Sequence, residues 1–211
     1  MLKDLKQKVI EANQELPKRD LVTYTWGNAS AIDRDKGLVV IKPSGVPYEN
    51  LNEDNLAVVD LNGNKIEGDL KPSSDTENHL TLYRKMPEIG GVVHTHSPWA
   101  TSWAQAGKAI IPLGTTHADH FYGQIPCSRE LTQKEIENNY EKNTGRVIVE
   151  TLEEEDPTAL PGIIVNKHGP FSWGADVEKA VYNAVVMEEV AKMAYRTINL
   201  TPEIESIDQT L

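Results

Sequence analysis

Gly-Gly-Val-Val-His-Thr-His-Ser-Pro, residues 90–98, begins with glycines and valines and ends in alternating histidine and threonine. Valine and threonine favour a strand, and strand side chains alternate between two faces, so His94 and His96 are predicted to point the same way. Two imidazoles a few ångströms apart on one face suit the binding of a single metal ion. The alternative is a pair of hydrogen-bonded core histidines.

The residues that follow the histidine pair predict a helix. Ser97 has the character of an N-cap, Pro98 suits the first helical position, and Gly107 is a typical residue at the end of a helix. The pair is therefore expected at the C-terminal end of a strand, where open α/β sheets tend to place their ligand sites.

A third histidine follows another apolar strand. Residues 163–165 read Ile-Ile-Val, and His168-Gly169-Pro170 comes soon after. Because a catalytic zinc usually takes three protein ligands and keeps one position open, His168 is the candidate third ligand.

Two polar segments are candidates for binding an anion. The apolar strand at residues 38–41 ends in Lys42-Pro43-Ser44-Gly45, a composition that suits an anion-binding loop. Residues 71–77 read Lys-Pro-Ser-Ser-Asp-Thr-Glu, in which Ser74 and Glu77 have capping-box spacing and Asp75 lies in the first helical turn. This segment is either a phosphate site at a helix N-terminus or simply a well-capped helix.

Three further segments carry weaker signals. Residues 21–25 predict a strand that leads into a turn or ligand-contacting loop at residues 26–30, since Gly27 and Asn28 tolerate positive φ. Residues 115–123 contain two histidines and Asp119, which are candidate acid/base groups or ordinary surface residues. Residues 146–149, Arg-Val-Ile-Val, predict another strand.

Bulk composition limits the classes of function. The net charge of -11 argues against a nucleic-acid or anionic-membrane surface, although a few local donors can still hold one phosphate. Cys127 is the only cysteine, which favours a reducing cytosol. The first residues lack the apolar core of a signal peptide, and no apolar run approaches membrane-spanning length, so a cytoplasmic protein without a membrane partner is expected.

Strands and helices are mixed without strict alternation, and residues 56–68 predict a β-hairpin on an Asn62-Gly63 turn. We therefore expect an α/β protein: a single three-layer α/β/α domain over residues 1–211, with a central mixed, largely antiparallel sheet.

The motifs resemble a known family when they are taken together. In order and spacing, the combination is similar to the class II aldolase/epimerase superfamily over essentially the whole chain, and most closely to its bacterial L-ribulose-5-phosphate 4-epimerases. The motifs are Trp26-Gly27-Asn28, Lys42-Pro43-Ser44-Gly45, Lys71-Pro72-Ser73-Ser74-Asp75, His94-Thr95-His96, Thr115-Thr116-His117-Ala118-Asp119 and His168-Gly169-Pro170-Phe171.

The resemblance implies a divalent cation, usually Zn²⁺, held by His94, His96 and His168 with Asp75 at or near it. It also implies an acid/base role for Asp119 and contacts to a phosphorylated pentulose from Gly27, Asn28, Ser44, Gly45, Ser73 and Ser74; Lys42 joins this set through its place in the anion-binding loop. The implied reaction converts L-ribulose 5-phosphate to D-xylulose 5-phosphate by breaking and re-forming the C3–C4 bond, as in pentose catabolism of the L-arabinose or L-ascorbate type.

The resemblance further implies a homotetramer with sites at subunit interfaces, in which a C-terminal tyrosine serves as the second proton donor. The sequence ends at Asp208-Gln209-Thr210-Leu211, before any such tyrosine, so a missing C-terminal tail is expected.

Two rival functions remain. One is a class II aldolase that cleaves a ketose 1-phosphate such as L-fuculose 1-phosphate; aldolases of that type carry glutamate where this chain has Asp75, which favours the epimerase. The other is a binding module like the adducin head, which would have no need of three histidines in register.

Overall fold

The computed structural model describes residues 2–207. Its central feature is a seven-stranded sheet in the order β4-β3-β2-β1-β5-β7-β6. Every neighbouring pair is antiparallel, so the expected α/β fold with a largely antiparallel sheet is confirmed. The strands are β1 (Gly27–Asp33), β2 (Leu38–Ile41), β3 (Ala57–Asp60), β4 (Lys65–Glu67), β5 (Gly91–Thr95), β6 (Gly162–Ile164) and β7 (Pro170–Gly174).

Helices cover both faces of this sheet and form two cores. Helix α1 and the first half of α7 pack on one face, and α2, α3, α6 and the second half of α7 pack on the other. Val92 and Val93 of β5 face opposite cores, as the strand period requires. The helices are α1 (Lys3–Lys18), α2 (Thr76–Lys85), α3 (Pro98–Ala106), α4 (Thr115–Ala118), α5 (Gln133–Glu137), α6 (Tyr140–Thr151) and α7 (Val177–Leu200).

The register of the central strands aligns residues of the predicted site. Asn28 of β1 is paired with His94 of β5, and His94 is paired with Phe171 of β7. Because directly opposed residues on neighbouring strands project from the same face, these three side chains form one row across the sheet.

Several predicted elements are confirmed. The strand at residues 38–41 is β2, and the hairpin on Asn62-Gly63 is formed by β3 and β4. Helix α3 begins after Ser97 and ends at Gly107, which has a left-handed conformation.

The prediction of a strand at residues 21–25 is wrong, because these residues form a loop. Strand β1 begins at Gly27, within the segment predicted to be a turn or ligand-contacting loop. Gly27 has a φ of 136°, and a Cβ there would lie 2.8 Å from Val22 Cγ1 and 3.0 Å from the His94 carbonyl oxygen. Glycine therefore permits close pairing between strands here rather than a turn.

The strand predicted at residues 146–149 is also wrong, since these residues lie in α6. Val147 and Ile148 are buried in a helix that packs against α2, so tertiary contacts outweigh the strand preference of the β-branched residues.

The capping box predicted at Ser74 and Glu77 does not form. Asp75 occupies the N-cap position of α2 instead, but its side chain makes no capping hydrogen bond and its carboxylate accepts from Asn28 of β1.

Among residues 2–207, no helix combines the length and the apolar character needed to cross a lipid bilayer. The chain end at residues 208–211, where a missing tail was expected, lies outside the described residues.

Candidate functional site

His94 is fixed by the sheet itself. Its side chain is buried, its ring stacks on Phe171 with centroids 4.1 Å apart, and its Nδ1 lies 2.9 Å from the carbonyl oxygen of Pro170. A carbonyl oxygen can only accept, so Nδ1 carries the hydrogen and Nε2 keeps a lone pair. That tautomer is the one a metal ligand requires.

His168 reaches the same place from the turn between β6 and β7. The turn depends on Lys167, which has a φ of 59°, and on Gly169, whose missing side chain allows close approach to β5. A Cβ on Gly169 would lie 2.8 Å from the Thr95 carbonyl oxygen and 3.0 Å from His96 Cδ2.

The structure brings the three predicted histidines together. The candidate ligand atoms of His94, His96 and His168 all lie within 4.8 Å of one another. The ring centroids are 4.9 Å apart for His94 and His96, 4.7 Å for His94 and His168, and 5.3 Å for His96 and His168. His94 is buried while His96 is exposed, so the cluster opens to solvent on one side.

The electrostatics of the cluster favour neutral imidazoles. Burial, together with the neighbouring His94 and His96, lowers the pKa of His168 to about 3. Burial and His94 also lower the pKa of His96. A neutral imidazole is the metal-binding form, so the donor set fits a divalent cation that keeps one position open toward solvent.

Asp75 lies beside the cluster but is held by other groups. Asn28 Nδ2 donates to its Oδ2 at 2.6 Å, and Asn78 Nδ2 lies 3.4 Å from its Oδ1. Burial opposes ionisation of this carboxyl, yet the nearby His94 and His79 hold its pKa below the usual value. The three-histidine group does not include Asp75, so its role as a ligand stays a prediction.

The two predicted anion-binding segments lie side by side. The Ser44 N–H donates to the Lys71 carbonyl at 3.0 Å, and the Ser73 N–H donates to the Lys42 carbonyl at 3.1 Å. Ser44, Gly45 and Ser74 are exposed, and Ser73 Oγ lies 3.1 Å from Asn28 Nδ2. The arrangement connects these segments to the histidine cluster through Asn28 and Asp75.

Lys42 is buried beneath these segments without a carboxylate partner among residues 2–207. Its ammonium group lies 3.3 Å from the Pro43 carbonyl oxygen and 5.0 Å from the centre of the Tyr48 ring. Burial lowers the pKa of Lys42 to about 8. An uncompensated buried cation is costly, and an anion bound nearby would relieve that cost.

Asp119 is not brought to the cluster within one chain. It is exposed at the end of α4, and the neighbouring His120 bonds through Nε2 to the Tyr182 hydroxyl of α7 at 2.7 Å. Within the described part of the chain, no hydrogen bond or ion pair joins Asp119 to the three histidines or to Asp75. His117, in the same segment, is buried and bonds to the Gly123 carbonyl.

Two residues near the site were missed by the sequence analysis. The Tyr140 hydroxyl lies 3.2 Å from His168 Nδ1. His79 is fully buried, its Nδ1 is hydrogen-bonded to the Ser30 hydroxyl, and Asp75 is a charged neighbour. Burial lowers the pKa of His79 to about 3. In the sequence, Tyr140 and His79 are recognisable only as residues of predicted helices, and no local pattern indicates their contacts with His168 and Ser30.

Comparison with known proteins gives a family and a fold. A family model described as Class II Aldolase and Adducin N-terminal domain matches residues 7–195. An L-fuculose 1-phosphate aldolase superposes with a TM-score of 0.83 at 24% identity, over 99% of this chain and 92% of that chain.

Two more structures are similar. YgbL from Klebsiella pneumoniae has a TM-score of 0.78 at 23% identity, over 98% of this chain and 94% of that one. An L-fuculose-1-phosphate aldolase from Thermus thermophilus has a TM-score of 0.74 at 22% identity, over 96% of this chain and 98% of that one. At these identities the likeness shows the fold alone.

Proposed function

The chain belongs to the class II aldolase and adducin N-terminal domain family, and from this membership we propose that it is a metal-dependent L-ribulose-5-phosphate 4-epimerase. The observation that carries the proposal is that His94, His96 and His168 lie together beside Asp75 at the C-terminal end of β5. The proposal treats residues 1–211 as one domain, acting in the cytoplasm in pentose catabolism.

The three histidines would hold a divalent cation, for which zinc is the choice that imidazole nitrogens favour. When bound, it supplies Lewis-acid stabilisation of negative charge on substrate oxygens. His94 is prepared for this role by the hydrogen bond from its Nδ1 to the Pro170 carbonyl, which leaves its Nε2 available as a ligand.

The phosphate of the substrate would bind where the segments at Ser44 and Ser73 run side by side. The exposed Ser44 and the half-buried Ser73 offer hydroxyl donors, and the exposed Gly45 offers its backbone. The buried ammonium of Lys42 supplies positive charge. Gly27 and Asn28 would contact the sugar, with Ser74 completing the phosphate site.

The reaction requires proton transfer at the C4 oxygen. C4 bears no acidic hydrogen, so inversion proceeds by loss of the C4 hydroxyl proton, cleavage of the C3–C4 bond, rotation of the phosphorylated aldehyde and re-formation of the bond on its other face. The proton then returns to the C4 oxygen. A phosphate that stays bound keeps the fragment from diffusing away between the two steps.

Asp119 is the proposed acid/base group on one face of the aldehyde. It is exposed, and among residues 2–207 no hydrogen bond or ion pair joins it to the histidine cluster, so we assign it to the site of a neighbouring copy. This assignment agrees with a homotetramer whose sites lie at subunit interfaces.

The test is an assay with two substrates. Zinc-loaded protein incubated with L-ribulose 5-phosphate should form D-xylulose 5-phosphate without accumulation of dihydroxyacetone. Cleavage of L-fuculose 1-phosphate with no epimerisation would instead support the aldolase, which the solved aldolase structures of the same fold make the second candidate. If the protein converted neither L-ribulose 5-phosphate nor L-fuculose 1-phosphate, both enzyme assignments would be overturned. The binding module would then be the remaining candidate.

A further inference from the structure

Tyr140 connects α6 to the histidine cluster. Its hydroxyl lies 3.2 Å from His168 Nδ1, and the two rings have centroids 5.8 Å apart. We propose that Tyr140 is a positioning residue for His168, which its hydroxyl orients and holds in the tautomer that binds the cation. The inference rests on the proposed metal centre.

Chemistry sets the direction of this hydrogen bond. A neutral imidazole carries one hydrogen, so His168 can bind a cation through Nε2 only if its hydrogen is on Nδ1. The Tyr140 oxygen must then accept from Nδ1–H. If Tyr140 donated instead, the imidazole hydrogen would sit on Nε2 and block the ligand position.

The three histidines differ in what orients them. His94 Nδ1 bonds to a backbone carbonyl, which no side-chain substitution at Pro170 removes. The His96 ring has no hydrogen-bond partner among residues 2–207. His168 is oriented by a side chain from a different element, 28 residues away in sequence, so its partner can be deleted as a single hydroxyl group.

The start of α6, where Tyr140 lies, is held in place by close packing on α2 and by a hydrogen bond at the helix entry. Tyr140 is the first residue of α6, and α6 meets α2 at Gly145, where a Cβ would lie 2.7 Å from Thr81 Cβ and 3.1 Å from Asn78 Cα. The Asn143 amide donates to the Asn138 carbonyl at 2.6 Å and fixes the entry into the helix. Tyr140 is half-buried.

The experiment compares zinc affinity in Tyr140→Phe and in the parent chain, by competition with a chromophoric chelator. Outer hydrogen-bond partners of metal ligands contribute about 10- to 100-fold in affinity, so Tyr140→Phe should bind zinc at least about tenfold more weakly. The thermal stability of the metal-free variant should stay close to that of the parent, because Phe keeps the ring packing.

Tyr182→Phe is the matched control. It also deletes a tyrosine hydroxyl bonded to a histidine, at 2.7 Å from His120 Nε2, but this pair is outside the cluster. Its zinc affinity should equal that of the parent. Equal affinities in Tyr140→Phe and the parent, or equal losses in both variants, would overturn the positioning role; a parent chain that binds no zinc would instead overturn the metal centre.

A second measurement uses the unmutated chain. Side-chain nitrogen NMR of zinc-loaded protein should show His168 bound through Nε2, with its Nδ1–H hydrogen slow to exchange. Coordination through Nδ1 would exclude the proposed hydrogen bond.

Discussion

Protonation of individual histidines links the site to pH. His79 and His168 both have pKa values of about 3, lowered chiefly by burial, whereas an unfolded chain has histidines near 6.5. Between these values the unfolded state binds more protons than the folded state, so the free energy of unfolding decreases as pH falls.

The metal-free protein should therefore lose stability on acidification from pH 6.5 to 5, before most carboxylates titrate. Each fully shifted histidine contributes up to about 1.4 kcal/mol per pH unit. Urea unfolding at several pH values measures this slope. Constant or increasing stability toward pH 5 would show that neither histidine is held neutral.

Lys42 gives a second prediction at the scale of one residue. Lys42→Met should raise the free energy of unfolding of the free protein at pH 7, by an amount on the order of 3 kcal/mol, because a buried cation with no carboxylate partner is replaced by an apolar side chain of similar length. The same variant should bind inorganic phosphate at least about tenfold more weakly, since hydrogen bonds to charged groups are strong.

Lys71→Met is the control for the stability effect. Lys71 is exposed in the adjacent segment, so its replacement should leave stability nearly unchanged. Phosphate affinity that survives in Lys42→Met would remove this ammonium group from the phosphate site.

The elements show where sequence patterns suffice. The strand at residues 38–41 is apolar at every position and is central in the sheet, so its pattern and its environment agree. Strand β1 was missed because it begins with Gly27 and Asn28, which disfavour strands, and is stabilised by pairing with β2 and β5 on either side. Such non-local pairing leaves no signal in the local sequence.

The contact between α2 and α6 supports a prediction at this scale. Gly145→Ala should destabilise the protein by about 1–3 kcal/mol, since the new methyl group would overlap Thr81 and Asn78, although alanine is the better helix former by about 1 kcal/mol. Displacement of α6 should also move Tyr140 and weaken zinc binding.

Gly114→Ala is the comparison, because a Cβ there meets no atom within 4 Å. Chemical denaturation of both variants measures the difference. If Gly145→Ala were as stable as the parent, α2 and α6 would be able to move apart enough to accept the methyl group with no loss of free energy of unfolding.

At the scale of the whole molecule, the sequence predicted the proximity of the three histidines better than the position of Asp119. His94 and His96 share a strand, so their proximity follows from period two, and His168 followed from its position after another strand. Nothing in the sequence indicates whether Asp119 reaches the site of its own chain, because that depends on the packing of α4 against α7 and on the assembly of copies.

Asp119→Asn and His168→Ala should each abolish most epimerase activity when alone. If Asp119 acts in a neighbouring copy, oligomers assembled from both variants contain some sites in which His168 of one chain lies beside Asp119 of another. These mixed oligomers should therefore regain part of the activity. Mixtures as inactive as the separate variants would place the two groups in one chain or remove Asp119 from the reaction.

The central claim is that His94, His96 and His168 jointly hold one cation. Elemental analysis of the purified chain tests it most directly, with His96→Ala beside the parent. The expected result is close to one zinc or similar divalent ion per parent chain and almost none in the variant. A parent chain that is free of metal and fully active would contradict the account.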